Sequence, residues 1–222
     1  SLLSWLLIFW RVHEPVQTDP SNKPRETWLQ ALGGLAALFK LPHTRGILIL
    51  GMSCYAAFLS LRGLWLGPML IGRYEFSLVE SGNVALVVSL ISLFTPALFG
   101  RLDPGPARRR RCLNNCSLLM AAMFLLLAFL HHAAANVALI LLMGLVTGYT
   151  ILQYADVRSS YPPELTGRAL SLFTMAMFLG VALMQWLTGV AAAWAEARGT
   201  EPYQAVMISI AAMLAAASTA FR

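Results

Sequence analysis

The chain has 222 residues, of which 58% are hydrophobic and 12% are charged, and its formal net charge is +6. Soluble domains carry about a quarter charged residues, so this low charge content excludes an ordinary water-soluble fold. A mean hydropathy of +0.67 favours an all-α membrane protein instead. The arginine run at 108–111 does not indicate nucleic-acid binding, because basic runs beside apolar segments typically determine membrane topology.

The N-terminal segment, residues 1–10, is apolar but too short to cross a bilayer. We interpret residues 1–12 as the end of a transmembrane helix that begins upstream. Residues 13–45 then form a predicted cytoplasmic loop between domains. From Pro24 onward this loop carries apolar side chains at helical spacing, which predicts an amphipathic helix on the membrane surface. These side chains are Trp28, Leu29, Leu32, Leu35, Leu38 and Phe39.

Residues 46–222 contain six apolar segments of the length that a bilayer crossing requires, about 20 residues each. We place them at residues 46–71, 78–99, 112–130, 134–155, 169–194 and 203–221. The predicted fold class is therefore a bundle of about six transmembrane helices, preceded by the end of an earlier span.

The Lys and Arg residues indicate how this bundle lies in the membrane. If the segment before residue 46 is cytoplasmic, thirteen of them fall on the cytoplasmic side and two, Arg73 and Arg198, fall outside. Multi-span proteins show such an excess in their cytoplasmic segments. The remaining one, Arg62, lies inside the first full span. We expect an integral multi-pass protein of a bacterial inner membrane, with the lipid bilayer as its surroundings.

Three local patterns accompany this topology. Residues 100–103 read Gly-Arg-Leu-Asp, and Gly105 and the four arginines follow. Residues 161–169 read Tyr-Pro-Pro-Glu-Leu-Thr-Gly-Arg-Ala, in which Pro163 and Gly167 predict a tight turn. In the next apolar segment, the small residues Gly180 and Gly189 permit close helix packing.

Together with the topology, these patterns resemble the C-terminal half of a transporter of the major facilitator superfamily. The first is similar to that family's Gly-x-Leu-x-Asp-Arg-x-Gly-Arg-Arg loop, and the second to its Pro-Glu-x-x-Gly-Arg-Ala stretch. The resemblance implies two six-helix halves with a solute site between them near the bilayer midplane. The implied partner is an N-terminal half of the same parent chain, or a second copy in a homodimer. It also implies a cytoplasmic gating loop with the candidates Gly100, Asp103, Arg108 and Arg109.

Arg62 is the most informative candidate for solute binding. A charge inside a span costs on the order of 3 kcal/mol, so it requires water, a ligand or a partner. Its guanidinium group either binds a carboxylate or phosphate in the central cavity, or it snorkels to the outer interface or pairs with the other half. Its helix face also carries an aromatic stripe, which forms either a packing surface or a cavity wall: Tyr55, Phe58 and Trp65.

The fourth and fifth segments supply the other substrate-binding candidates, Gln153, Tyr154, Gln185 and Thr188. The resemblance implies that these helices line the cavity or its gates. The alternative is that their side chains form hydrogen bonds between helices. The sequence contains no phosphate-binding loop and no nucleophile–base motif. We therefore expect no enzymatic activity, no cofactor and no metal site.

The sequence thus predicts half of a secondary transporter, a symporter or antiporter, that moves a small solute by alternating access. The candidate substrate is an anionic metabolite bound by Arg62. Two alternatives stay open. One is an exporter of apolar or cationic compounds from the same superfamily, for which Met175, Met177 and Met184 would suit. The other is a membrane module without transport activity, such as a receptor or an assembly subunit.

Overall fold

A computed structural model of the chain describes residues 5, 9–10, 33–34, 38–39 and 41–221. The chain divides into two units, Ser1–Gly33 and Gly34–Arg222. In the first unit Trp5, Phe9 and Trp10 are helical, and the rings of Trp5 and Phe9 stack with their centroids 5.7 Å apart. Most of the predicted preceding helix at 1–12 and of the predicted loop at 13–45 lies outside the described residues.

Helices joined by short turns make up the second unit, and its described residues contain no β-strand. Their bounds are α1 Pro42–Ser60, α2 Leu66–Tyr74, α3 Leu78–Arg101, α4 Pro106–Phe129, α5 Ala133–Val146, α6 Ile151–Ser160, α7 Pro163–Ala197 and α8 Pro202–Phe221. A π-helical segment, Leu61–Trp65, joins α1 to α2. A 3₁₀ segment, Thr147–Thr150, joins α5 to α6.

These elements form six continuous helices that are long and apolar enough to cross a bilayer, counted over the described residues. We call them the first to sixth spans: His43–Tyr74, Leu78–Arg101, Pro106–Phe129, Ala133–Ser160, Pro163–Ala197 and Pro202–Phe221. The predicted all-α bundle of six spans is confirmed.

Two of the spans begin earlier in the chain than predicted, and each begins at a proline. The third span begins at Pro106, so the arginines at 108–111 lie in its first turns and not in a loop. The predicted tight turn at Pro163 and Gly167 is wrong, because the fifth span already begins at Pro163. A proline at the first helical position has no N–H group to leave unpaired and its fixed φ suits the helix.

The first span is the centre of the bundle. It packs mainly against the fifth and sixth spans, while the sixth also packs against the third and the second pairs with the fourth. Over its most apolar stretch the first span is 56% buried, whereas the second and fifth are only 11% and 22% buried. Much of the surface of the second and fifth spans is therefore open to lipid or to another protein.

Gly180 brings the first and fifth spans into close contact. A Cβ atom at this position would overlap the main-chain carbonyl group of Met52, which lies on the facing helix. Around Gly189, by contrast, a Cβ atom would meet nothing within 4 Å. Of the two glycines that the sequence suggested for close packing, Gly180 permits a backbone contact and Gly189 faces open space.

Arg73 holds one end of the bundle together. Its guanidinium group donates to the main-chain oxygens of Leu127 and Ala128 at 3.2 and 3.1 Å, in the last turn of the third span. Its Nε lies 2.8 Å from Oε1 of Glu201, just before the sixth span. One side chain thereby joins three spans and satisfies carbonyl groups that a helix end leaves unpaired.

We expect Gly180→Val to destabilise the bundle, because the added side chain has to displace the backbone of the first span. Overpacking of this kind costs about 1–3 kcal/mol of the free energy of unfolding. The measurement is thermal unfolding of the purified protein in detergent, followed by tryptophan fluorescence. The matched control is Gly189→Val, which adds the same side chain to the same helix in open space. Equal melting temperatures for the two variants would contradict the close contact at Gly180.

Candidate functional site

A cavity of about 170 Å³ opens between the first, second and fourth spans, beside Arg62. We call it the Arg62 cavity. One arginine, two aromatic side chains, four serine or threonine side chains, and smaller or apolar residues line it: Tyr55, Phe58, Leu59, Arg62, Ser92, Thr95, Pro96, Thr147, Gly148 and Thr150. It therefore combines a positive charge with groups that can form hydrogen bonds inside an apolar bundle.

All three spans depart from regular α-helical structure where they line this cavity. The first span changes to the π-helical segment Leu61–Trp65, which contains Arg62, and the fourth changes to the 3₁₀ segment Thr147–Thr150. The second contains Pro96, which has no N–H for the carbonyl group of Ser92. Thr95 Oγ1 donates to that carbonyl oxygen instead, at 3.3 Å. Single-turn π segments occur frequently at functional sites.

Arg62 itself is half-buried within the first span. Among the described residues it forms no hydrogen bond and no ion pair. The other arginines that enter the bundle, Arg73 and Arg109, each have an acidic partner. An unpaired guanidinium group at this depth is costly unless water or a negatively charged group reaches it. The Arg62 cavity provides the space for such a group.

The hydroxyl groups of the cavity are oriented by their own helices. Ser92 Oγ donates to the Val88 carbonyl oxygen at 2.7 Å, and Thr150 Oγ1 donates to the Thr147 carbonyl oxygen at 3.0 Å. With its proton used in this way, each hydroxyl oxygen can still accept a hydrogen bond. The cavity therefore offers a charge for an anion together with acceptors for the hydroxyl or amino groups of the same ligand.

Some of the predicted substrate-binding residues line the cavity and the others do not. Tyr55, Phe58 and Arg62 line the cavity together. Trp65 and Thr188 lie elsewhere and join the first and fifth spans, since Trp65 Nε1 donates to Thr188 Oγ1 at 3.0 Å. That bond corresponds to the alternative in which polar side chains connect helices.

Gln153, Tyr154 and Gln185 do not line the Arg62 cavity. Gln153 is buried in the bundle, and neither atom of its amide group has a hydrogen-bond partner among the described residues. The ring of Tyr154 packs edge-on against Phe173 with the centroids 5.1 Å apart. Gln185 is half-buried on the fifth span.

Sequence reasoning missed the contribution of the second span. Ser92, Thr95 and Pro96 line the cavity, although this span carries none of the predicted substrate-binding residues. One sequence feature could have indicated this contribution: Ser92 and Thr95 lie one helical turn apart, directly before a proline, in an otherwise apolar segment. Gly148 allows this span to approach the fourth, because a Cβ atom there would lie 2.6 Å from the Thr95 carbonyl group.

At the end predicted to be cytoplasmic, the structure pairs two of the four gating candidates. Arg109 donates to both carboxylate oxygens of Asp103, with Nε–Oδ1 at 3.0 Å and Nη2–Oδ2 at 2.6 Å. Its Nη1 donates to the Ala155 carbonyl oxygen at 3.1 Å and to Ser159 Oγ at 2.9 Å. We call these residues the Asp103–Arg109 cluster; it ties the turn before the third span to the fourth span.

The other two gating candidates, Gly100 and Arg108, are exposed and lie outside this cluster. The turn that makes the pairing possible depends on Gly105, whose φ of 81° is a conformation that favours glycine. Its N–H group donates to Asp103 Oδ1 at 3.1 Å. The hydrogen bond from Arg109, supported by the Gly105 amide, lowers the pKa of the Asp103 carboxyl group.

The sequence matches the family model of the Major Facilitator Superfamily over residues 1–185. The matched region includes every residue of the Arg62 cavity and the whole Asp103–Arg109 cluster. No match was found among curated proteins.

We expect Asp103→Asn to lower the melting temperature at pH 7, because it leaves the buried guanidinium group of Arg109 without a counter-charge. The folded-state pKa of Asp103 is lowered, so its stabilisation is complete above the ordinary carboxyl pKa and is lost as pH falls through the lowered value. The difference between wild type and variant should thus stay constant from pH 8 to pH 5 and shrink on further acidification.

The measurement is thermal unfolding in detergent across this pH series. Glu164→Gln is the matched control, since Glu164 is an exposed carboxylate in the first turn of the fifth span. A variant Asp103→Asn that melts like Glu164→Gln at pH 7 would show that the pair contributes nothing to stability.

Proposed function

The chain belongs to the major facilitator superfamily, and from that premise we propose that it moves a small anionic solute by secondary active transport. It is an integral, multi-pass membrane protein. The observation that carries the choice of an anion is Arg62, a half-buried cation that borders a cavity and has no partner among the described residues. A carboxylate or phosphate group of the solute supplies the missing negative charge.

Arg62 suits this role because a guanidinium group presents its donors in a planar fork. A carboxylate or phosphate accepts two parallel hydrogen bonds from that fork, which fixes the orientation of the solute as well as its charge. Tyr55 and Phe58 then supply an aromatic wall, and the hydroxyl oxygens of Ser92 and Thr150 accept hydrogen bonds from the rest of the solute. The favoured substrate class is a small anion that also carries hydroxyl or amino groups.

A second six-helix unit completes the site in this proposal. The second and fifth spans are the least buried of the six, so each has a large face available for such a partner. The partner is an N-terminal half of the same parent protein or a second copy of the chain. Rocking of the two six-helix units about the solute exposes the site to each side of a bacterial inner membrane in turn.

The Asp103–Arg109 cluster acts as the cytoplasmic gate in this scheme. It connects the second, third and fourth spans at one end of the unit, so breaking its hydrogen bonds lets these spans separate at that end. Because the second and fourth spans also line the Arg62 cavity, a change in their spacing at this end alters the width of the cavity.

The exporter of apolar or cationic compounds has less support from the geometry. None of the three methionines that the sequence suggested for it lines the Arg62 cavity. Met177 and Met184 are buried within the bundle, and Met175 borders a separate apolar groove between the first and fifth spans. The described lining residues of the Arg62 cavity also include no carboxylate that would bind a cation.

We expect Arg62→Gln to abolish uptake of the anion or to raise its KM at least tenfold, because the loss of a charged hydrogen-bonding partner costs about 1.5–3 kcal/mol. Arg62→Lys keeps the charge without the planar fork and should retain part of the activity. The assay is uptake of a panel of radiolabelled small carboxylates and phosphate esters into proteoliposomes that contain the chain together with its second six-helix unit.

The matched control is Arg198→Gln, which removes an exposed arginine that lies over the ring of Trp194, away from the cavity. It should transport at the wild-type rate. Anion uptake by Arg62→Gln at the wild-type KM would overturn direct binding of the solute by Arg62.

A further inference from the structure

A second polar cavity, of about 360 Å³, lies where the third span begins and the sixth span ends. Five residues line it: Arg110, Arg111, Asn114, Asn115 and Phe221. It shares no residue with the Arg62 cavity, and the proposed transport mechanism does not use it. We call it the Arg111 cavity.

Two arginines give this cavity its charge. Arg111 is exposed and has no hydrogen-bond or ion-pair partner in the part of the chain that the structure describes. Arg110 uses Nε and Nη2 towards the fourth span, donating to Asp156 Oδ1 at 3.4 Å and to Ser160 Oγ at 3.1 Å. Two guanidinium groups against one carboxylate leave a net positive charge, which attracts an anion.

Asn114 provides an independent sign of a ligand. Asn114 lines the cavity and only 8% of the residue is exposed, yet its buried Oδ1 has no hydrogen-bond partner among the described residues. Leaving a buried amide oxygen unpaired costs about 1–3 kcal/mol. A ligand with both a negative charge and a hydrogen-bond donor would satisfy the arginines and Asn114 together.

The third span continues from this cavity as an exposed apolar stripe. At helical spacing after Arg111 and Asn115 come Leu119 and Leu126, which are 50% and 53% exposed. Charged and polar groups at the helix end followed by apolar side chains match the order of a phospholipid, with its headgroup at the interface and its acyl chain in the hydrocarbon. A soluble anion would use the charged and polar groups but not the apolar stripe that follows them.

We propose that the Arg111 cavity binds the headgroup of an anionic phospholipid that carries a hydroxyl group, namely phosphatidylglycerol. Its phosphate lies between Arg110 and Arg111, its glycerol hydroxyl donates to Asn114 Oδ1, and one acyl chain runs along Leu119 and Leu126. Arg110 also pairs with Asp156 of the fourth span. The guanidinium group of Arg110 therefore contacts both the bound phosphate and Asp156. It joins the third and fourth spans next to the Asp103–Arg109 cluster.

The test is native mass spectrometry of the purified protein in detergent, titrated with dioleoyl phosphatidylglycerol or with dioleoyl phosphatidylcholine. The wild-type protein should retain phosphatidylglycerol in clear preference. Arg111→Gln should weaken that binding about fivefold, the contribution of one basic residue near a membrane surface, and Arg111→Lys should retain most of it. Arg101→Gln removes another exposed arginine at the same end of the bundle and should change nothing.

Equal retention of the two lipids by the wild-type protein would overturn the proposal. So would an equal loss of binding in Arg111→Gln and Arg101→Gln, because it would show a diffuse charge effect without a site. A soluble competitor, glycerophosphoglycerol, tests whether the cavity binds a free phosphate ester instead of a membrane lipid. It should leave the lipid bound at millimolar concentration, and displacement at concentrations similar to those of the lipid would assign the cavity to a free phosphate ester instead.

Discussion

The hydrocarbon of a bilayer offers no hydrogen-bond partner, and this constraint governs every level of the structure. It requires each crossing segment to pair its own backbone groups, so the described part of residues 46–221 folds into helices throughout its apolar runs. It also confines charge to the ends of the bundle, where Arg73, Asp103 and Arg109 form their ion pairs. Arg62 is the exception that calls for a function, because it brings a charge into a span without a partner among the described residues.

The two ends of the bundle are stabilised by similar chemistry. At each end a largely buried arginine combines a carboxylate with main-chain oxygens of a neighbouring span, Arg73 with Leu127 and Arg109 with Ala155. Such an arginine connects spans without requiring a matching side chain on every helix. The middle of the bundle relies on close packing instead, as at Gly180, since apolar surfaces gain little from association within lipid.

Three helices are irregular along the walls of the Arg62 cavity. The π segment of the first span, Pro96 of the second and the 3₁₀ segment of the fourth each interrupt the regular hydrogen-bond pattern. Irregular backbone is tolerated inside a membrane protein where it borders a cavity that can hold water or ligand. The same three spans connect to the Asp103–Arg109 cluster or to the end of the bundle near Arg73, so changes at either end can reach the cavity.

The sequence alone determined the number of spans and their order along the chain, because an apolar run long enough to cross a bilayer is a local property. It also made Arg62 conspicuous, since a charge within such a run is visible without any contact. Only the tertiary structure decided that Ser92 and Thr95 face the cavity while Gln153 and Gln185 do not. Spans that are apolar on every face carry little periodicity to show their rotation. Packing against neighbouring helices sets that rotation, just as the turn at Gly105 decides that Arg109, and not Arg108, meets Asp103.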